Sequence, residues 1–304
     1  MIAPDMFQGL VGQTKVKSKL QFFADGQRSR GYIPAILLNG SKGLGKTEFA
    51  KKFASNLKKP LMEINCSTIR NEQSFFEELF MGHILGREIT VLFDECHELP
   101  EKLMASFLTV FNPEGAKSKR LQWRENELEF NFEKQTYLFA TTEAHELFGP
   151  FKDRLNKIDF SPYATSELIQ IVKNKADYIA FGIGVLDKVG ASLRGNARSA
   201  VARAVEIMLY CENKNKSNFT LSDWADLCKT LDICQYGLSA VEIELLKILR
   251  DRGACTLQML AAATGLSRAA IQKESEVHLL REGLMKIDAK REITDKGRRF
   301  LASV

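Results

Sequence analysis

The run Gly40-Ser41-Lys42-Gly43-Leu44-Gly45-Lys46-Thr47 can wrap its backbone around a polyphosphate. Glycines at 40, 43 and 45 let the chain curl until successive N–H groups point inward, and a helix starting near Lys46 adds its positive end. In such a loop Gly43, Leu44 and Gly45 supply the cradle, Lys46 reaches the β- and γ-phosphates, and the Thr47 hydroxyl ligates Mg2+. The apolar run Ala35-Ile36-Leu37-Leu38 ahead of it and the helix-like Glu48-Phe49-Ala50-Lys51-Lys52-Phe53-Ala54 behind it are the setting this chemistry needs. The loop therefore implies nucleotide binding.

A second group of residues suits hydrolysis. Asp94-Glu95-Cys96-His97 ends the apolar run 89–93, where carboxylates have no packing reason to stand. Asp94 can complete a magnesium shell, and Glu95 is placed to orient and polarise the water that attacks a γ-phosphate. His97 reads as a structural neighbour rather than a ligand. The later run Tyr137-Leu138-Phe139-Ala140 ends in Thr141-Thr142, and Thr142 can sense the γ-phosphate by hydrogen bonding. Downstream, Phe148-Gly149-Pro150-Phe151-Lys152-Asp153-Arg154-Leu155 sets an arginine at the end of this region; alone, Arg154 would be a surface charge.

Positioning these groups requires strands alternating with helices. Candidate strands at 35–38, 61–65, 89–93 and 136–140 imply a parallel sheet covered on both faces, with 89–93 central because its hydrophobicity is unbroken. Between 112 and 135 the pattern turns to alternation, with Leu121, Trp123, Leu128, Phe130 and Phe132 flanking a polar Arg124-Glu125-Asn126-Glu127 tip, a hairpin inserted into the α/β region. From 161 to about 231 helical periodicity takes over. Beyond 237, a helix over 239–252, a short helix capped by Thr256, a turn at Thr264-Gly265-Leu266, a helix from Ser267 to about 281 and two short strands around Asp288-Ala289-Lys290 make a winged helix-turn-helix. The expected division is 1–160 with its hairpin at about 113–135, 161–232 as a small all-helical domain, and 233–304 as the winged helix.

The chain has 304 residues, 45% of them hydrophobic, and a formal net charge of +5. That balance permits a polyanionic partner without requiring one. The 6 cysteines show neither C-x-x-C pairs nor zinc spacing, so reduced thiols in a cytoplasmic protein are expected. The opening Met1-Ile2-Ala3-Pro4-Asp5 lacks a basic and then apolar leader, and no apolar run is long enough to span a bilayer. A soluble protein without membrane partners is the expectation.

Together these pieces resemble the AAA+ ATPases, and among them the RuvB-type Holliday-junction branch-migration motors. The resemblance rests on Leu10-Val11-Gly12-Gln13, Gly43-Leu44-Gly45-Lys46-Thr47, Asp94-Glu95-Cys96-His97, Ala140-Thr141-Thr142, Asp153-Arg154 and Gly195-Asn196-Ala197-Arg198, followed by the winged-helix tail. It implies an α/β P-loop AAA+ core, a small all-helical lid domain and a C-terminal winged-helix domain. It further implies that Leu10, Val11 and Tyr163 border the adenine of ATP, that Thr142 is sensor 1, that Arg198 is sensor 2 and that Arg154 is an arginine finger entering a neighbouring subunit's site. ATP and Mg2+ would be the cofactors, and a homo-oligomer, a hexameric ring, the working form. Arg194 competes with Arg198 for the sensor role; Arg198 is preferred, which leaves Arg194 a solvated or phosphate-facing charge.

In the tail, Arg268 opens the presumed recognition helix, while Lys286, Lys290 and Arg291 lie on or beside the wing, a cluster suited to DNA phosphates and placed where the resemblance puts duplex contacts. Two features depart from the family. The hairpin that would dock the junction-recognition partner RuvA is charge-rich from Lys117 to Glu133, and Asp288, Glu292 and Asp295 intersperse the wing. The expected function is an ATP-hydrolysing translocase on duplex or four-way-junction DNA. A clamp-loader or helicase-loader switch and a nucleotide-controlled DNA-binding regulator are the alternatives.

Overall fold

Strands β1 (Ile36–Asn39), β2 (Leu61–Asn65) and β3 (Ile89–Asp94) fall where apolar runs meet polar ends, as the sequence leads one to expect. The computed structural model describes residues 6–112 and 116–303. Residues 1–5, read above for a leader, and residues 113–115, at the start of the expected hairpin, lie outside the described residues, as does residue 304. The described chain forms two units: residues up to 167 together with 196–198, and residues 168–195 with those from 199 onward. Among the described residues no helix is long and apolar enough to cross a membrane.

In the first unit, α1 (Thr14–Arg30) precedes β1 and α2 (Lys46–Asn56) follows it. After β3 come α3 (Glu101–Val110), the hairpin strands β4 (Ser118–Trp123) and β5 (Asn126–Asn131), then β6 (Gln135–Thr141), the short α4 (Gly149–Lys152) and β7 (Asn156–Asp159). Parallel pairing gives the order β2-β3-β6-β1-β7. β7 was not expected from the sequence, because Asn156-Lys157-Ile158-Asp159 offers one buried apolar residue and reads as a loop. In the hairpin, Trp123 pairs with Asn126, so the turn narrows to Arg124-Glu125.

Aromatic packing fixes this unit. Phe93 on β3 stacks on Phe139 of neighbouring β6 at 4.8 Å and 6°, and Phe107, Phe111 and Phe151 close around Phe139 from α3, its C-terminal end and α4. Such ring pairs add to the hydrophobic gain of burial. Residues Ser74–Ile84 form a π-helix, whose wider turn brings Phe75 and Phe80 to one face, with Phe76 beside them. All three are buried. The hairpin lays its apolar face here: Trp123 meets Phe76 at 4.6 Å and Phe130 stacks on Phe80 at 4.1 Å. On its other face Lys117 pairs with Glu133 at 2.7 Å and Arg120 with Glu127 at 3.3 Å.

The second unit takes up most of α5 (Thr165–Lys175), then β8 (Ala180–Phe181), α6 (Val185–Gly190), α7 (Ala197–Asn213), β9 (Asn218–Phe219) and α8 (Leu221–Thr230). As far as α8 it is helical apart from the two-residue parallel pair β8-β9, too short to leave a period-2 trace in the sequence. Next come α9 (Ala240–Arg252), capped by Ser239 with Glu242 in a reciprocal box, and α10 (Leu257–Thr264), capped by Thr256. The following helix starts as α11 (Arg268–Ala270) under the Ser267 cap, passes through a π-helical stretch Ile271–Glu276 and finishes as α12 (Val277–Arg281). The wing, β10 (Met285–Asp288) against β11 (Lys290–Ile293), is as expected, but α13 (Asp295–Ser303) is an addition: its charged Asp295-Lys296 and Arg298-Arg299 hide the apolar face of Phe300 and Leu301.

His278 sits nearly sealed in this unit, 5% exposed. Its Nε2 lies 2.8 Å from the Tyr236 carbonyl and its Nδ1 2.9 Å from Arg281 Nη2. Arginine can only donate, so Nδ1 accepts and Nε2–H donates, the neutral tautomer. Burial holds its pKa below 6.5, with the Arg194 and Arg281 charges acting the same way and Glu242 and the Tyr236 carbonyl opposing them. A depressed histidine pKa means the unfolded chain takes up the proton first. The stability tied to neutral His278 is thus complete above 6.5 and is lost as pH falls toward the folded value. The thermal midpoint of this unit should drop between about pH 7 and about pH 5, and His278→Gln, which can still donate and accept, should flatten that pH dependence in a calorimetric series.

Candidate functional site

In a parallel sheet the loops that follow the strands gather at one edge, and ligands bind there. β1 feeds the glycine loop, β6 feeds Thr141-Thr142, and β3 feeds Asp94-Glu95. Because β6 lies between β1 and β3, the three polar ends stand side by side. Gly45 caps α2 at φ 94°, and Lys46 turns back under the loop, its Nζ donating to the Gly40 and Ser41 carbonyls at 2.6 and 3.3 Å. Burial pulls the Lys46 pKa below its ordinary 10.5, while Glu95 and Asp94 oppose that shift. An ammonium so placed favours an anion supplied from outside.

Asp94 is half-buried, and desolvation raises its pKa despite the N–H of Glu95, 3.1 Å from Oδ1. Glu95 takes a left-handed backbone, φ 51°. Its Oε2 accepts from the Thr142 hydroxyl at 3.2 Å and lies 3.6 Å from His97 Nδ1. His97 Nδ1 is also 2.9 Å from Thr141 Oγ1, which accepts the Glu143 N–H at 3.0 Å. The sequence reading gave His97 a structural part, and here it is one wall that sets the Glu95 carboxylate. Thr47 and Asp94 present hydroxyl and carboxylate oxygens, the hard donors that Mg2+ takes alongside phosphate and water. The ion would supply charge neutralisation for phosphate oxygens.

Tyr163 is buried beside the loop, its hydroxyl donating to the Leu44 carbonyl at 3.1 Å, and burial pushes its pKa up to about 12. The turn Leu10-Val11-Gly12-Gln13 abuts it: a Cβ added at Gly12 would lie 3.1 Å from the Tyr163 ring. Gln13, absent from the residues singled out by sequence, clamps Ser161 by accepting its N–H at 3.2 Å and donating to its carbonyl at 2.6 Å. Asn196 was likewise passed over; its Oδ1 would be 2.9 Å from a Cβ on Gly43. Both belong to quoted motifs, which was the available signal. Arg198 donates its N–H to the Gly43 carbonyl at 3.3 Å, and its charge bears on Lys46. Arg194, expected as a solvated or phosphate-facing charge, is half-buried, and its guanidinium pairs with buried Glu242.

Arg154 is elsewhere. It precedes β7, whose first residue Asn156 is in register with Ile36, the start of β1, so it stands at the edge opposite the glycine loop. Its Nε and Nη1 donate to the Leu108 and Pro150 carbonyls at 3.1 and 2.8 Å, beside a cleft of about 490 Å³ that Phe22, Phe111 and Phe132 also line.

In the winged helix, Arg268 and Lys290 are exposed, and Lys286 is exposed but paired with Glu292 at 3.0 Å. Arg291 departs from its expected place among the DNA-contacting residues. Both ends of its guanidinium bond buried Glu276, at 2.7 and 3.3 Å, and its backbone bridges Cys255, so it braces the wing instead.

A family model described as the Holliday junction DNA helicase RuvB P-loop domain matches residues 2–159, more than half of the chain, and a RuvB C-terminal winged helix domain model matches 235–302. The chain belongs to the RuvB family. Relatives named Holliday junction branch migration complex subunit RuvB include those of Mycoplasma genitalium, 24% identical over 99% of this chain and 97% of its own length, and of Bdellovibrio bacteriovorus, 24% identical over 93% and 88%. The solved Thermotoga maritima RuvB Holliday junction branch migration motor shares the fold, with a TM-score of 0.76 at 23% identity and 96% and 95% coverage. This RuvB-family chain is a P-loop ATPase.

Gly43 gives a direct check. At φ 82°, with Asn196 and the Arg198 Cβ at 2.9 and 3.1 Å from an added methyl, alanine is both strained and crowded. Left-handed backbone alone costs about 1–2 kcal/mol for a residue with a side chain. Gly43→Ala should therefore weaken nucleotide affinity at least about tenfold, measured with a fluorescent nucleotide, while leaving the unfolding of residues 235–302 unchanged.

Proposed function

We propose that this RuvB-family ATPase works as a subunit of a homo-oligomeric ring, hexameric by resemblance, in which ATP with Mg2+ is hydrolysed between neighbours and the winged helices move along duplex or four-way-junction DNA. Lys46 would hold the β- and γ-phosphates, Thr47 and Asp94 the ion, and Leu10, Val11 and Tyr163 the base. Glu95, released from Thr142, would polarise the attacking water, and Thr142 and Arg198 would read the γ-phosphate. Residues 161–232 would serve as lid. A cytoplasmic setting fits this role.

The observation that carries the reading is the separation of Arg154 from the glycine loop across the sheet. An arginine at the strand-start edge is out of reach of its own loop, since even a four-residue strand rises about 13 Å. That separation supports a part for it in a neighbour's site. The charged outer face of the hairpin supports a partner recognised through polar contacts, because the apolar face is occupied by the chain's own π-helix. The loader reading loses ground to the winged helix, whose exposed Arg268 and Lys290 suit phosphate contacts.

Arg154→Ala and Lys46→Ala chains should each lose about 10³ or more in ATP turnover, and mixing them should restore part of it, because one intact site forms wherever a loop from the first meets an arginine from the second. No recovery on mixing would rule out shared sites. Arg268→Ala with Lys290→Ala should weaken duplex binding to a similar degree on unrelated sequences and reduce the salt slope by about 0.9 per lost phosphate contact. ATPase stimulation by a four-way junction beyond that by duplex would select the junction as substrate.

A further inference from the structure

Arg194 stands just before Gly195-Asn196-Ala197-Arg198, yet it is bound into the winged helix. Its Nη2 donates to Glu242 Oε2, and that oxygen also takes the Ser239 N–H at 2.7 Å and hydroxyl at 2.9 Å. Its carbonyl accepts from Arg281 Nη2 at 2.7 Å, the same nitrogen that holds His278 Nδ1. The backbone is laced as well. Tyr236 donates its N–H to the Ala191 carbonyl at 2.7 Å, and a Cβ on Gly237 would fall 2.4 Å from the Ser192 carbonyl. Residues 191–195 are thus joined to the start of α9 through Glu242 and to the end of the recognition helix through His278 and Arg281.

The central pair is half made. Arg194 Nε and Glu242 Oε1 are both buried without a hydrogen-bond partner, although a guanidinium and a carboxylate can meet through two parallel bonds. A buried donor and a buried acceptor left open in one ion pair each carry a desolvation cost, and a small rotation that closes the fork removes both. The forked arrangement is therefore a second geometry open to the pair beside the single-point one, and an element with two discrete arrangements is what coupling between sites requires.

We infer that Arg194 is a positioning residue: by shifting between these arrangements on Glu242, it makes the affinity of the recognition helix for DNA depend on the nucleotide sensed at Arg198. Movement of Arg198 pulls on Arg194 through Gly195-Asn196-Ala197, and the Arg194 carbonyl and side chain carry that to Arg281, His278 and Glu242. The inference rests on the reading above that Arg198 meets nucleotide and that 268–281 approaches DNA.

The test uses the full chain and a fluorescent duplex, titrated with a non-hydrolysable ATP analogue and with ADP. The wild-type chain should show a ratio of duplex affinities between the two states within the range of about 5 to 150 typical of coupled sites. Arg194→Met should bring that ratio to about 1 with nucleotide affinity retained, and Arg194→Lys, which keeps a single-point donor, should recover part of it. A merely structural role would lower duplex affinity equally in both states and preserve the ratio, and that result overturns the inference. A wild-type ratio of about 1 would fail the DNA-motor reading and the inference with it, a distinct outcome. Should Arg194→Met not fold, hydrogen exchange in the wild-type chain decides: amides 191–195 and 277–281 must change protection together on analogue binding, and independent behaviour overturns the coupling.

Discussion

A lysine ammonium buried under a curl of peptide groups sets the terms for the rest of this structure. Lys46 is 7% exposed and is satisfied by two carbonyls of its own loop. Desolvation works against its charge, and the nearest compensation is Asp94 and Glu95 at the end of an adjacent part of the sheet. A polyphosphate answers that imbalance better than carbonyls do, because it restores full charge pairing in a low-dielectric setting. The loop geometry, the strand order and the aromatic layer all serve to keep these groups at fixed separation.

The aromatic layer does this by rigidity. Phe93 and Phe139, stacked across β3 and β6, sit directly before Asp94 and shortly before Thr141-Thr142, so the carboxylates and the two threonines share one foundation. Phe151 packs on Phe139 from the short helix that precedes Arg154. One cluster therefore positions groups at both edges of the sheet. The same rigidity that holds the loop end in place keeps Arg154 at the opposite edge.

In the second unit, ion pairs rather than rings set the geometry. Glu242 holds Arg194 and Glu276 holds Arg291, each carboxylate almost fully buried. Buried pairs of this sort are weak sources of net stability but strong constraints on arrangement, since breaking one leaves an uncompensated charge. Arg291 consequently stiffens the wing, while Arg268 and Lys290 stay exposed.

The glycine loop, the strand-end acids, the hairpin and the winged tail were legible in the sequence, because each depends on local requirements: glycine at positive φ, unbroken apolar runs for buried strands, period-2 alternation, and Ser or Thr at helix starts. β7 and α13 were not, since their few apolar residues are outnumbered by charges, and neither were β8 and β9, whose two residues each are too short to leave a pattern. The same division separates the arginines. By residue type alone Arg154, Arg194, Arg198 and Arg291 are equivalent positive charges, told apart in the sequence only by motif and family resemblance. The tertiary structure assigns one to the far edge of the sheet, one to the loop and two to buried carboxylates, because each residue's role follows from which carbonyl or carboxylate the fold brings within hydrogen-bonding distance, and such partners lie far off in the chain, as Gly43 does from Arg198.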